Sequence, residues 1–133
     1  MATPAARQSL SSILDLVPKV SYAVAYGSAV IKQEGYAGSN MVDYIFAVDN
    51  AEEWHRDNFR MNGYRHYSAL GAVGPKALAS IQSVGAGVYF NVPKLERGEA
   101  KYAIIETPRL CSELRDWKNL YISGRLQKPV ATL

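Results

Sequence analysis

A short apolar segment with a single charge constrains the fold of this chain more than any other feature. Residues 41–48 are almost continuously apolar, and Asp43 is the one charged residue among them. A run of this length suits a strand that is buried on both faces of a sheet. A carboxylate inside such a strand is costly unless a cation or a strong hydrogen-bond donor lies beside it. A Mg²⁺ ion and a structural ion pair would both meet that need, so both interpretations of Asp43 stay open.

Strands and helices are expected to alternate along the rest of the chain. Alternating or continuous apolar residues predict further strands at residues 20–26, 88–92 and 101–106. Helical spacing predicts a helix at residues 5–16, and an Asp49-Asn50 N-cap predicts one at 51–61. Pro75 and Pro108 are placed at the first turns of two further predicted helices, at 75–83 and 107–117, and Thr107 is expected to cap the second of these. This pattern in 133 residues indicates one domain of the α/β (α+β) class, built on a mixed sheet.

The composition excludes several kinds of protein. A single cysteine, Cys111, excludes an internal disulfide and a cysteine-rich metal site, and it is expected to be a buried or half-buried thiol. His55 and His66 alone cannot form a histidine-rich zinc centre. The net charge of +3 is too small to indicate nucleic-acid binding. No apolar run is long enough to span a bilayer, so any membrane contact must be peripheral.

The N-terminus allows two interpretations. Residues 1–14 contain Arg7, several Ala and Ser residues and no acidic residue before position 15, as in a mitochondrial presequence. The alternative is an ordinary first helix, in which Leu10, Ile13, Leu14 and Val17 recur at helical spacing.

A second feature, a glycine and a serine at the end of a predicted strand, is a candidate for phosphate binding. Tyr26-Gly27-Ser28 lies at the exit of a predicted strand, where a glycine and a hydroxyl can approach a triphosphate closely, although a plain tight turn has the same sequence. Asp43 follows Ser28 by 15 residues on the next strand. The combination fits a nucleotidyltransferase core, in which Gly-Ser holds phosphates and strand carboxylates hold a metal ion.

Ordered blocks of the sequence resemble the mitochondrial CDP-diacylglycerol synthase family, also known as the translocator assembly and maintenance protein family. The resemblance extends over nearly the whole chain from about residue 17. The blocks are YGS at 26–28 followed by Lys32-Gln33, MVDYIFAVD at 41–49, Trp54-His55 with Asn58, HYS at 66–68, GPK at 74–76, GAGVYFN at 85–91, Lys101-Tyr102 and LYISGRLQKPV at 120–130.

The resemblance implies a Mg²⁺-dependent phosphatidate cytidylyltransferase. Such an enzyme converts CTP and phosphatidic acid into CDP-diacylglycerol and pyrophosphate for cardiolipin synthesis. The family acts peripherally on the matrix face of the mitochondrial inner membrane, in contact with anionic lipid. Its fold is a polymerase-beta-like nucleotidyltransferase core with flanking helices, followed by a helical, winged-helix-like domain. We expect residues 1–133 to form the core as a single domain without the second one.

Two alternatives to this activity remain at the level of the sequence. The usual motif of the superfamily places a second acid two residues after the first, and Ile45 occupies that position here. This favours, as the alternative, a non-catalytic domain that binds nucleotide or assists assembly and maintenance of the mitochondrial import machinery. A nucleotidyltransferase acting on RNA or small molecules gains little support from the small net charge.

The candidate site residues follow from these patterns and from the resemblance. Asp43 is expected to be the main metal ligand and, with Ser28, a catalytic residue. Asp49 is the candidate second metal ligand, and its alternative role is the cap of the next helix. Nucleotide binding is assigned to Tyr26, Gly27, Ser28, Lys32, Arg125 and Lys128. The alternative for Arg125 and Lys128 is a solvated basic tail, since residues 117–133 contain three basic residues, Lys118, Arg125 and Lys128, and no acidic residue. His55, His66 and Lys101 are weaker candidates for contact with the nucleotide.

Overall fold

A mixed α/β fold is seen in the computed structural model, which describes residues 4–27, 30, 41–95 and 98–133. The described strands are β1 Tyr22–Tyr26, β2 Val42–Val48, β3 Val88–Asn91, β4 Lys94–Leu95, β5 Gly98–Glu106 and β6 Ala131–Thr132. The described α-helices are α1 Pro4–Ser11, α2 Ala51–Asn62, α3 Pro75–Ser83, α4 Thr107–Asp116 and α5 Leu120–Leu126. Three 3₁₀ helices span Ser12–Leu16, Gly63–His66 and Ala69–Val73.

The predicted apolar strand is the centre of the sheet. The strands are ordered β3-β5-β2-β1-β6, and β4 extends the sheet by pairing with β5. β2 and β5 are parallel, whereas the other pairs are antiparallel, so the sheet is mixed as expected. The last five residues of β2 are buried, which confirms a strand covered on both faces.

Each face of the sheet has its own apolar core because neighbouring strand residues point to opposite faces. On one face, Phe46 and Tyr102 pack with Trp54 of α2 and with Ile13 from the first 3₁₀ helix. On the other face, Ile45 and Ala103 pack against the side chains of α4 and α5, which include Leu110 and Ile122. Asp43 is two residues before Ile45 on β2, so its side chain points to the same face as Ile45, the face that α4 and α5 cover.

The helix starts follow the sequence with one exception. Asn50 caps α2, its side chain accepting a hydrogen bond from the Glu53 backbone N–H at 2.9 Å. The expectation that Thr107 caps α4 is wrong, because the cap residue is Glu106 and Thr107 is the first helical residue. The Thr107 hydroxyl instead donates to the carbonyl oxygen of Val48 at 3.1 Å, which ties α4 to the end of β2.

Residues near the N-terminus contribute to the core, as the interpretation as an ordinary first helix requires. Ile13 and Val17 are buried, and the Tyr44 hydroxyl donates to the Leu10 carbonyl oxygen at 3.2 Å. The α-helical part ends at Ser11 and continues as a 3₁₀ helix to Leu16, so the predicted single helix changes its hydrogen-bond pattern midway.

One alternative and one expectation are corrected. The basic C-terminal segment is not a solvated tail, because it forms α5 and then β6, in which Ala131 pairs with Ala25 of β1. Cys111 is exposed on α4 and is neither buried nor half-buried. Across the part of the chain that the structure describes, no helix is long and apolar enough to cross a bilayer.

Candidate nucleotide-binding site

Three of the residues that bear on the site form a row across neighbouring strands. Tyr26 of β1 pairs with Asp43 of β2, and Asp43 pairs with Lys101 of β5. Paired residues point to the same face, and adjacent strands lie about 4.8 Å apart. The side chains of a tyrosine, an aspartate and a lysine therefore leave the same face of three neighbouring strands, near the end of β1 and the start of β2. We call Tyr26, Asp43 and Lys101 the Asp43 row.

Gly27 keeps the space beside Asp43 open. Its φ of +94° is a conformation that residues with side chains rarely adopt. A Cβ atom at this position would lie 3.2 Å from Oδ2 of Asp43. The Gly27 carbonyl oxygen accepts a hydrogen bond from the Val30 backbone N–H at 3.1 Å. Ser28 and Lys32, the next predicted residues, lie outside the described residues.

Aromatic rings position two cations around the row. The Arg125 guanidinium carbon lies 5.7 Å from the centre of the Tyr26 ring and 5.4 Å from that of Tyr121. The Lys101 ammonium nitrogen lies 4.6 Å from the centre of the Phe90 ring. Phe90 and Tyr121 contact each other edge to face with centres 5.7 Å apart, so the rings link both cations. Cation–π contacts of this kind orient a charge without neutralising it.

Both cations remain available to an anionic ligand. Among the described residues, no carboxylate lies within ion-pair distance of Lys101 or Arg125. Guanidinium and ammonium groups bind phosphate oxygens strongly, and the planar guanidinium does so with two parallel hydrogen bonds. Both side chains are therefore chemically suited to contact an anionic group such as a phosphate. Lys128 is exposed after the last turn of α5, and its backbone N–H donates to the Arg125 carbonyl oxygen at 3.4 Å.

Tyr26 is a neutral member of the row. Burial and then the negative charge of Asp43 raise the pKa of Tyr26 to about 12, although the positive charge of Arg125 opposes the shift. A tyrosine with this pKa retains its proton at physiological pH. Tyr26 can thus donate a hydrogen bond beside Asp43 and adds no negative charge to the site.

Asp49 lies far from Asp43. Six residues along an extended strand separate their Cα atoms by about 20 Å, so one metal ion cannot contact both carboxylates. Asp49 instead accepts a hydrogen bond from the Ser21 hydroxyl at 2.6 Å. Its alternative role as the cap of α2 is wrong, because Asn50 is the cap residue.

His55 belongs to a buried hydrogen-bond network on the opposite face of the sheet from Asp43. Its Nε2 lies 3.0 Å from Oε1 of Gln82, and its Nδ1 lies 2.8 Å from the Tyr67 hydroxyl. Because the Gln82 oxygen only accepts, Nε2 carries the proton and Nδ1 accepts from Tyr67. Burial lowers the pKa of His55, which favours this neutral form. His55 is a structural histidine satisfied by its neighbours.

The same reasoning fixes the state of His66. The Tyr102 hydroxyl accepts hydrogen bonds from the side-chain amides of Asn58 at 3.0 Å and Asn91 at 3.1 Å. Its single proton is therefore donated to Nδ1 of His66, which lies 2.8 Å away. Burial lowers the pKa of His66 as well. Both histidines belong to the framework on one face, while the Asp43 row belongs to the other.

The structure brings together Tyr26, Gly27, Asp43 and Arg125 and adds residues that sequence reasoning underrated or missed. Lys101 is placed in the row itself, although its sequence position indicates only the flank of a strand. Phe90 and Tyr121 were missed, since the only signal for them is an aromatic residue on the correct side of a strand or helix.

Known proteins with similar sequences indicate the family of this chain. Residues 10–133 match the model of a protein family described as phosphatidate cytidylyltransferase, mitochondrial. Curated proteins of that name are similar to the chain. The one from Danio rerio is 49% identical over 85% of this chain and 35% of its own length. The one from Dictyostelium discoideum is 38% identical over 98% of this chain and 35% of its own length. The human protein is 44% identical over 84% of this chain and 26% of its own length. The chain thus spans about a third of these relatives or less.

Proposed function

The chain belongs to the mitochondrial phosphatidate cytidylyltransferase family, and we propose that it forms the nucleotide-binding part of such an enzyme. The reaction would transfer the cytidylyl group of CTP to phosphatidate and yield CDP-diacylglycerol and pyrophosphate. The observation that carries this proposal is the Asp43 row together with Arg125. Gly27 places no side chain beside the Asp43 carboxylate, and neither Lys101 nor Arg125 has an ion-pair partner among the described residues.

Mg²⁺ fits the donors of this site. Asp43 offers hard carboxylate oxygens, and the missing side chain of Gly27 leaves space beside Oδ2. Among the residues that the structure describes, no three His, Cys, Asp or Glu side chains gather as a metal site. Mg²⁺ is commonly held by one or two carboxylates plus substrate phosphates, so Asp43 would share the ion with CTP. When bound, the ion would neutralise charge on the phosphate oxygens.

The cations would bind the triphosphate. Arg125 can contact two phosphate oxygens at once, and Lys101 adds a second positive charge from the other side of the row. Lys128, Ser28 and Lys32 are proposed to contribute as the sequence suggests. Because both substrates are anionic, positioning and charge neutralisation should account for most of the catalysis.

The chemistry needs no strong general base. A phosphate oxygen of phosphatidate, already ionised near neutral pH, would attack the α-phosphorus of CTP. The bond from that phosphorus to the bridging oxygen breaks, and the electron pair leaves with pyrophosphate. The role of the protein is therefore to hold attacking and leaving oxygens in line. The uncharged Tyr26 hydroxyl could donate a hydrogen bond to one of the phosphates.

The proposed place of action is the matrix face of the mitochondrial inner membrane, with peripheral contact to anionic lipid. Support for the organelle comes from the relatives, which are named mitochondrial. The proposed role of the product in cardiolipin synthesis follows from the family resemblance.

A non-catalytic nucleotide-binding or assembly role is the second candidate. It is favoured by Ile45, which occupies the position of the usual second acid and is buried in the apolar core. The two functions differ in their product. Incubation with labelled CTP, Mg²⁺ and phosphatidic acid vesicles should give labelled CDP-diacylglycerol if the first proposal is correct. CTP binding without any product, also from a longer chain with Asp43 intact, would favour the second.

A further inference from the structure

The connection between α2 and α3 combines positive charge with exposed apolar side chains. Residues 60–76, which we call the α2–α3 segment, contain Arg60, Arg65 and Lys76 and no acidic residue. Four apolar side chains of the segment are about half exposed or more, at 53% for Met61, 67% for Tyr64, 50% for Leu70 and 49% for Val73.

Contacts within the segment bring three of these side chains, Tyr64, Leu70 and Val73, close together. Leu70 and Val73 are three residues apart on a 3₁₀ helix, so they project from the same side of it. The backbone of that helix lies against Tyr64, because a Cβ atom on Gly71 would lie 3.5 Å from the Tyr64 ring. Tyr64 also lines an open groove of about 330 Å³ together with Arg56, Phe59, Arg60, Gly63, Gly74 and Pro75.

The segment lies at the end of the sheet where the Asp43 row is found. α2 begins after the end of β2 and returns along it, and by Asn58 it reaches the Tyr102 hydroxyl. Tyr102 pairs with Tyr44, which follows Asp43 directly. His66, inside the segment, also contacts Tyr102. The exposed surface and the row are thus at the same end of the sheet on opposite faces.

The charges indicate what covers this surface. Among the described residues, no carboxylate lies within ion-pair distance of Arg65 or Lys76, and Arg60 has only an exposed pair with Asp57. The buried centre of a protein interface is poor in charged residues, whereas apolar and cationic side chains are interleaved here. Apolar groups that enter a bilayer beside cations that contact anionic headgroups have this arrangement.

We propose that the α2–α3 segment docks the chain on an anionic lipid bilayer. This inference rests on the proposed function, because phosphatidate is a bilayer lipid that must reach the Asp43 row. Docking at this end of the sheet brings the headgroup layer next to the row, and the lipid does not have to leave the membrane fully.

The apolar contribution is tested by flotation with vesicles of phosphatidylcholine and phosphatidylglycerol, without CTP and without phosphatidate. The double variant L70S/V73S should float much less than the unmodified chain. The matched control is V84S/L114S, which removes two apolar side chains that are 77% and 42% exposed on other parts of the surface. The control should float like the unmodified chain.

The charge contribution is tested with R65E/K76E against K19E/K118E. Each pair changes the net charge equally, and all four residues are exposed. Each basic residue near an anionic bilayer contributes roughly a fivefold effect on binding, so R65E/K76E should weaken vesicle binding at least about tenfold. The control pair should retain most of the binding. The unmodified chain should bind vesicles of phosphatidylcholine alone much more weakly.

The outcomes separate this proposal from the proposed function, because CTP binding is measured in solution without vesicles. Equal losses in test and control variants would overturn the docking surface and leave CTP binding unaffected. Failure of the unmodified chain to float would overturn it as well. A change of elution volume in L70S/V73S on size-exclusion chromatography would assign the surface to a second copy of the chain and contradict membrane docking. Absent CTP binding with intact flotation would contradict the nucleotide site alone.

Discussion

Gly27 and Asp43 are in close contact, since a Cβ atom on the glycine would lie 3.2 Å from Oδ2 of the aspartate. The strand pairing of Tyr26 with Asp43 brings the next residue, Gly27, past the carboxylate as β1 ends. The glycine therefore does two things: it permits a positive φ and places no side chain against the carboxylate.

Substitution of this glycine should damage nucleotide binding as well as stability. Gly27→Ala introduces a methyl group beside Asp43 and a φ of +94° that alanine disfavours. We expect about 1–2 kcal/mol of lost stability and a clear loss of Mg²⁺–CTP affinity by calorimetry. Gly85→Ala is the control, because Gly85 has a φ of +68° and open space around it. It should lose similar stability but keep its CTP affinity.

Arg125 should contribute strongly to CTP affinity. Arg125→Leu removes a cation that has no described carboxylate partner and that lies over two aromatic rings. A charge-assisted hydrogen bond contributes about 1.5–3 kcal/mol, so the Kd for CTP should rise roughly tenfold or more. Arg125→Lys should recover only part of the affinity, because it lacks the planar fork. The control Arg115→Leu, on the exposed surface of α4, should bind CTP normally, and unchanged binding in Arg125→Leu would contradict this role.

Tyr102 should matter for stability and not for the site. Tyr102→Phe removes a hydroxyl that serves Asn58, Asn91 and His66 in the interior. Buried donors left without partners destabilise, so we expect the free energy of unfolding to fall by about 2–4 kcal/mol in denaturant titrations. Tyr22→Phe is the control, because the described partner of the Tyr22 hydroxyl is Thr132 at the surface, and it should change the free energy of unfolding by less than about 0.5 kcal/mol. Equal effects of the two substitutions would contradict the network.

The two buried histidines predict a loss of stability in acid. Burial lowers the pKa of both His55 and His66 in the folded chain. The unfolded chain therefore binds protons first as the pH falls below about 6.5, and the free energy of unfolding decreases until the folded histidines titrate as well. Chemical denaturation between pH 8 and pH 5 measures this slope. His66→Gln, which can still accept from Tyr102 but does not titrate, should reduce the slope, and an unchanged slope would exclude His66 as its source.

Local signals in the sequence are sufficient for much of this fold. The apolar run around Asp43, the asparagine cap of α2 and the proline at the start of α3 specify elements through nearest neighbours, and all three are confirmed. The 3₁₀ helices and the short strand β6 depend on contacts distant in sequence, such as the pairing of Ala131 with Ala25, and they were not predicted.

Some residues of the site can likewise be predicted from local sequence, whereas others are revealed only by strand pairing. The Gly27–Asp43 pair follows from spacing on two consecutive strands. Lys101 reaches the row only through the parallel pairing of β2 with β5, which no local pattern indicates. Asp49 illustrates the converse, because six residues of extended chain place its carboxylate far from that of Asp43 although both lie near the same strand.

The central claim is that Asp43 is the carboxylate through which the chain binds Mg²⁺ with CTP. Calorimetry of CTP binding with and without Mg²⁺ tests it in Asp43→Asn and Asp49→Asn, which carry the same substitution on either end of β2. The account predicts that Asp43→Asn loses the Mg²⁺-dependent part of CTP affinity and that Asp49→Asn keeps it. An equal Mg²⁺ dependence in Asp43→Asn and the unmodified chain would contradict it.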